Sequence, residues 1–329
     1  MHLTIRTWAT SMAAMAAALL TTASPALAGA PPAPVPATTD WSLTAAPERC
    51  VLLRDFGAGK TFVRLRLTSY GAGEWFEVDA FGNMHGVSVA SFRFLPDGKP
   101  TPRIAAAWGS TPYNRRSLGG WMIGGSDLLG RVADMNEVLP PVTAAQAEAQ
   151  HALAIDIGTK RFVLDTGPMA APIEQLRACR ADMVRGWGLD PEGQSRLKSR
   201  PQPVNDRTRW FTTADFPSFG ASGIQSGQVF FRLMVDEQGQ ATSCHVQNEA
   251  AEERLGQLTC KLALRRAQLR PAIGADGAAV ASTYAGVVTW GGVVLRVSGG
   301  EAAPVGGESA TVVTAPAWDR PPLEPIKRP

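Results

Sequence analysis

Asp165-Thr166-Gly167 closes an apolar run, Phe162-Val163-Leu164, and is the first place in the chain where reactive chemistry can be sought. An aspartate raised on the end of a strand serves a hydrolase only as one of two carboxylates close enough to share a proton. No second Asp-Thr-Gly or Asp-Ser-Gly occurs, and Pro168 fills the position after the glycine. Hydrolysis through Asp165 is therefore a distant alternative, and the segment reads as a strand ending in a turn. Gly57-Ala58-Gly59-Lys60-Thr61 echoes a phosphate-cradling loop, yet that pattern needs a glycine where Arg54 stands. The histidines, His2, His85, His151 and His245, lack metal-ligand spacing, and neither Gly-x-Ser-x-Gly nor His-Glu-x-x-His is present. Trp75, Trp108, Trp121 and Trp187 are expected in the core or at its rim. These residues supply no catalytic set, no metal site and no cofactor site, so the expectation is a protein that binds and does not catalyse.

The cysteines say more. Cys50, Cys179, Cys244 and Cys260 are the four in the chain, and no two have the Cys-x-x-Cys spacing of a zinc or redox site. An even count in an exported chain suggests two disulfides. Three pairings exist. One bond within each of two domains, Cys50–Cys179 and Cys244–Cys260, is the expected one.

Export is read from the N-terminus. His2 and Arg6 precede an apolar run from Trp8 to Leu20, and Ala26-Leu27-Ala28 is a small-x-small cleavage signal. The run of about 13 residues falls short of the roughly 20 that span a bilayer. Residues 1–28 are thus expected as a signal peptide cleaved after Ala28, with an uncleaved inner-membrane anchor as the alternative. No later segment reaches about 18 uninterrupted apolar residues, so no transmembrane span is expected in the mature chain, which is placed in the periplasm. The 329 residues, 45% of them hydrophobic, suffice for two domains, and a net charge of +3 gives no reason to expect nucleic acid or an acidic membrane surface.

The elements follow from periodicity. Residues 29–40 form a proline-rich spacer unable to build a core. The segment 41–190 is expected as a β-rich α+β domain of unassigned role. Its strands are read at Thr61–Leu67, Trp75–Ala80, Val87–Leu95 and Arg161–Leu164, and a helix at Ala171–Trp187 with Pro172 near its start. The polar, proline-containing stretch 191–209 reads as a linker, and 297–329, rich in Gly, Pro, Ala and Glu, as a disordered tail.

The segment 210–296 is the most regular. Val229, Phe231, Leu233 and Val235 alternate along a strand at 228–236; Asp236–Gly239 is a tight turn; a second strand covers 240–247. A helix follows over 252–269, with Asn248 as a plausible cap, Arg265, Arg266 and Arg270 near its C-terminal end, and Pro271 as its stop. Cys260, Leu264 and Ala267 share a helical face, which brings Cys260 over the strand carrying Cys244. A third strand, rich in valine, covers 280–290.

Taken in order, Asp215-Phe216-Pro217, the strand from Gly227 to Gly239, the helix ending Leu269-Arg270-Pro271-Ala272, and Asp276-Gly277 before a Val-rich strand resemble the TonB C-terminal domain family. Phe216 stands where that family usually has tyrosine. The cysteines and Trp187-Gly188-Leu189-Asp190 resemble an exported alphaproteobacterial subgroup of it. The resemblance covers about 80 residues and implies a small β-β-α-β unit, a helix packed on a three-stranded sheet. It also implies a function: binding an extended peptide, such as the TonB box of an outer-membrane transporter, by adding it to the open sheet edge. The implied edge is Thr283, Tyr284, Ala285, Gly286, Val287, Val288, Thr289 and Trp290, although Tyr284, Val288 and Trp290 are expected to be core residues individually. The implied partners are envelope proteins. A family member that transduces energy keeps an N-terminal membrane helix; a transducer proper is therefore the alternative tied to an uncleaved residue 1–28 segment.

Overall fold

A computed structural model describes residues 32–82, 89–105, 107–113, 116–131, 134–215, 227–248, 253–290, 293–294 and 313–314. The expected signal segment 1–28, His85 and Phe216-Pro217 lie outside the described residues. From Pro32 onward the chain forms one compact unit, so the segments 41–190 and 210–296 belong to a single body.

The first part is β-rich, with strands β1 (Ser42–Ala46), β2 (Arg49–Phe56), β3 (Val63–Ser69), β4 (Phe76–Gly82), β5 (Val89–Leu95), β6 (Ile104–Ala105), β7 (Ala107–Tyr113) and β8 (Arg116–Ser126). A short helix α1 (Ala144–Ala149) precedes β9 (Ala152–Ile157) and β10 (Lys160–Leu164). They make two antiparallel sheets, ordered β1-β2-β3-β4-β8-β7 and β10-β9-β5-β6. The alternation read at Val63, Leu65 and Leu67 is the reason: these side chains, with Val78 and Ala80, enter one core with Phe92, Phe94, Leu153 and Ile155 of the second sheet. Helix α2 (Ala170–Gly186) buries Ile173, Leu176, Cys179, Met183 and Val184, and the Cys50–Cys179 disulfide fastens it to β2. Strand β8 escaped the sequence reading because Gly119, Gly120, Gly124 and Gly125 lower its strand propensity. The glycines make room: a Cβ on Gly125 would fall 1.9 Å from the Trp75 ring.

Two connecting segments are more ordered than expected. In the proline-rich spacer, Val35 bridges to Leu164 and Ala37 to Phe56, and both pack against the core. An extended proline-rich chain still offers N–H groups at its non-proline residues, and Val35 N–H donates to Val163 O at 2.6 Å. The 191–209 segment, expected as a linker, holds α3 (Pro191–Ser195) and β11 (Gln202–Pro203), and buries Gln194, Leu197 and Arg200.

The last part follows the expected order: β12 (Gly227–Val235), β13 (Ala241–Val246), α4 (Glu253–Arg266), then after three short strands β17 (Ser282–Trp290). The short ones are β14 (Leu269–Arg270), paired with β11, and β15 (Ala272–Ile273), paired with β16 (Ala279–Val280). The sheet order is β13-β12-β17, and α4 packs on β12 and β13. The second disulfide, Cys244–Cys260, ties α4 to β13.

Three local expectations need correction. Helix α4 ends at Arg266, before Leu269, because the following residues turn to the 202–205 segment: Asn205 Nδ2 donates to Arg266 O, Val204 N–H to Gln268 O, and Leu269–Arg270 pair with β11 as β14. Asn248 serves a strand: its Oδ1 accepts the Phe230 N–H and its Nδ2 donates to Gln228 O. The buried face of α4 is Leu255, Gly256, Thr259, Leu262 and Ala263, so Cys260 sits at its margin and Leu264 is exposed. In the tail 297–329, Val313–Thr314 forms β19 and pairs with β18 (Val293–Val294); the rest of the tail lies outside the described residues.

Candidate functional site

Strand β12 is central, so β17 lies at one border of the three-stranded sheet. Tyr284, Gly286, Val288 and Trp290 face α4 across from Leu233, Phe231, Val229 and Gly227. Tyr284 lies edge-on to Trp210 and meets Arg207 through its hydroxyl, and Trp290 donates to Thr259 Oγ1 at 2.7 Å. Their side chains are structural. What β17 offers outward is main chain, together with the half-exposed side chain of Val287.

Which main-chain groups face out follows from the register. Gln247 N–H donates to Phe230 O, and Phe230 N–H donates to Asn248 Oδ1, so the Phe230 main chain turns toward β13. Its partner across the other ladder, Val287, therefore turns away from β12. By the same two-residue alternation Thr283, Ala285 and Thr289 also face outward. The chain itself has taken part of this border. Asn136 Oδ1 accepts the Ala285 N–H at 2.7 Å, and Asn136 Nδ2 donates to Ala285 O at 2.8 Å. Gln194 Nε2 donates to Ala281 O, and the Ser282 hydroxyl donates to Gln194 Oε1. Among the described residues no comparable contact is made to the main chain of Val287 or Thr289.

The second face of this sheet carries Phe230, Arg232 and Met234, and it rests on the first part of the chain. Tyr70 stacks on Phe230 with ring centroids 4.6 Å apart. Arg232 makes a two-pronged pair with Glu48 and lies 4.1 Å from the Trp187 ring. Gln247 Nε2 donates to Glu48 O and Tyr70 O. Sequence reasoning missed this joint. The available signal was that Phe230 and Met234 make the second face apolar, which a solvent-facing side is not.

A buried acidic group adjoins the joint. Arg66 and Thr68 of β3 stand opposite Asp79 and Glu77 of β4. Arg66 donates to Asp79 at 2.7 Å, and the Tyr70 hydroxyl donates to Glu77 at 3.1 Å. Burial, followed by the neighbouring Asp79 carboxylate, pushes Glu77 up to about 8. Burial also raises Asp79, against the pull of Arg66.

No family model, curated protein or solved structure matches the chain. The remaining sequence candidates lie apart from β17. Asp165 sits on an exposed turn, where its carboxylate accepts the Gly167 N–H. Gly59–Thr61 is a single 3-10 turn with no helix to follow it. His245 is exposed on β13, 3.7 Å from Glu48. Among the described residues no group of His, Cys, Asp and Glu is placed to hold a metal, and no helix is long and apolar enough to cross a membrane. Asp215 of the expected motif holds Arg266 at the end of α4 through two hydrogen bonds, which keeps its carboxyl well below the usual range.

Proposed function

We propose that this is a periplasmic, TonB-like protein-interaction module whose β17 border takes up an extended peptide of an envelope protein, such as the TonB box of an outer-membrane transporter. The observation that carries the reading is the row of outward main-chain groups at Val287 and Thr289, beside the half-exposed Val287, on the border of a strand-strand-helix-strand unit. An extended peptide pairs with such a row main chain to main chain. Two disulfides suit an oxidising compartment. The order of Asp215, the Gly227–Gly239 strand and turn, Leu269-Arg270-Pro271-Ala272 and Asp276-Gly277 supports the family reading.

Val287→Pro tests it. Proline there removes an outward N–H and leaves the β12–β17 ladder intact, because the Val287 N–H does not point at β12. A capped synthetic peptide spanning a TonB box should bind the unmodified protein in fluorescence anisotropy and lose roughly tenfold or more in affinity with Val287→Pro. Equal binding to both proteins would rule out this border.

A further inference from the structure

We propose that Asn136 is a built-in occupant of the β17 border, and that a partner peptide docks over Ala285–Thr289 by taking the place of its carboxamide. This rests on reading β17 as the docking strand.

The carboxamide does at Ala285 what one residue of an added strand would do. It offers one oxygen to the Ala285 N–H and one N–H to the Ala285 oxygen, at 2.7 and 2.8 Å. A peptide residue at the same place offers the same two groups, so the exchange replaces both hydrogen bonds and leaves neither partner of Ala285 unpaired. Without that exchange a peptide pairs only at Val287 and Thr289; the exchange adds Ala285 and lengthens the paired row.

The fastening of the hook makes the exchange feasible. Asn136 is itself buried at 3% exposure, but it is held by Asp134, whose Oδ1 accepts from Asn136 N at 2.9 Å and from Asn136 Nδ2 at 2.7 Å. Asp134 Oδ2 pairs with Arg207 at 3.0 Å, and these two side chains are 47% and 46% exposed. They line an open cleft of about 460 Å³ with Gln202, Asn205 and Tyr284. The buried hook therefore hangs from a solvent-washed anchor beside this cleft, and its other hold is one long hydrogen bond, Gln202 Nε2 donating to Asn136 O at 3.5 Å. The partner's chemistry follows as well. The peptide residue facing Ala285 must carry an N–H, so proline is excluded there and tolerated one position to either side.

The test uses the full mature chain and the same capped TonB-box peptide. Asn136→Ala should bind it roughly tenfold more tightly than the unmodified protein, since the competitor is gone. If the unmodified protein binds the peptide and Asn136→Ala binds it no better, the hook does not compete and the proposal falls while the border reading stands. If neither binds, the border reading fails and takes the proposal with it. A measurement on the unmodified chain guards against misfolding of the variant. The Asn136 side-chain NH2 resonances, protected from exchange in the free protein, should become solvent-exchanging as peptide saturates. Retained protection in the saturated complex would overturn the displacement.

Discussion

The guanidinium of Arg232 meets the carboxylate of Glu48 through two hydrogen bonds, 2.9 and 2.8 Å long, across the joint between the two parts of the chain. Arg232 is nearly sealed from water at 3% side-chain exposure, and Glu48 retains 20%. Removing one member of a buried pair strands the other without compensation. Arg232→Ala is expected to cost about 3 kcal/mol in urea unfolding, and Glu48→Gln less, since an amide can still accept one hydrogen bond. A double-mutant cycle should return a coupling above about 1 kcal/mol. A coupling near zero would mean that Trp187 and the Met234 sulfur hold Arg232 without help from Glu48.

Glu77 sets a pH dependence whose sign is opposite to that of ordinary acid unfolding. Its folded value near 8 lies above the usual 4.5, so between those limits the folded chain keeps a proton that the unfolded chain has released. This contribution is fully present below about pH 4.5 and is lost as pH rises through about 8. The urea midpoint should fall from pH 5.5 to pH 8, and Glu77→Gln should flatten that slope. An unchanged slope in the variant would show that Glu77 does not titrate in this window.

The two disulfides should differ in worth. Cys244–Cys260 closes a loop with a sequence separation of 16 and Cys50–Cys179 one of 129. In the chain-entropy model these correspond to about 3 and about 5 kcal/mol. Paired Cys→Ser replacements, compared by thermal melting under oxidising conditions, should rank in that order. Thiol labelling of the unreduced protein should find no free cysteine.

Gly286 lets two elements meet. A Cβ there would lie 2.5 Å from the Phe231 ring. Gly286→Ala should lower stability by about 1–3 kcal/mol, because the ring is enclosed by the helix side of the sheet. Combining it with Phe231→Leu should recover part of the loss, and an absence of recovery would place the strain elsewhere.

Period was the readable signal. Val229, Phe231, Leu233 and Val235 announce a strand against a helix, and Ile173, Leu176, Met183 and Val184 a helix against a sheet, because one buried face forces one spacing. The glycine-rich β8 and the paired Val35 and Ala37 carried no such rhythm; their order comes from close approach and long-range pairing, which no local window contains. The border of β17 was legible as a strand of the right length. Its occupation was not. Asn136 lies 149 positions from Ala285, in a stretch whose periodicity points to no element, and only the fold brings the two together.

The tight turn Pro47-Glu48 joins β1 to β2. Hairpin tips ordinarily accept tags, cuts and extra residues better than any other place in a chain. Here Pro47 O receives the Trp187 indole N–H, Glu48 grips Arg232, and Glu48 O and the Arg49 side chain both engage Gln247. A two-residue loop thus carries part of the seam, and epitope insertion or circular permutation at Pro47-Glu48 would loosen the Arg232 and Gln247 contacts while the Tyr70–Phe230 stack and the Asn136–Ala285 hydrogen bonds remain.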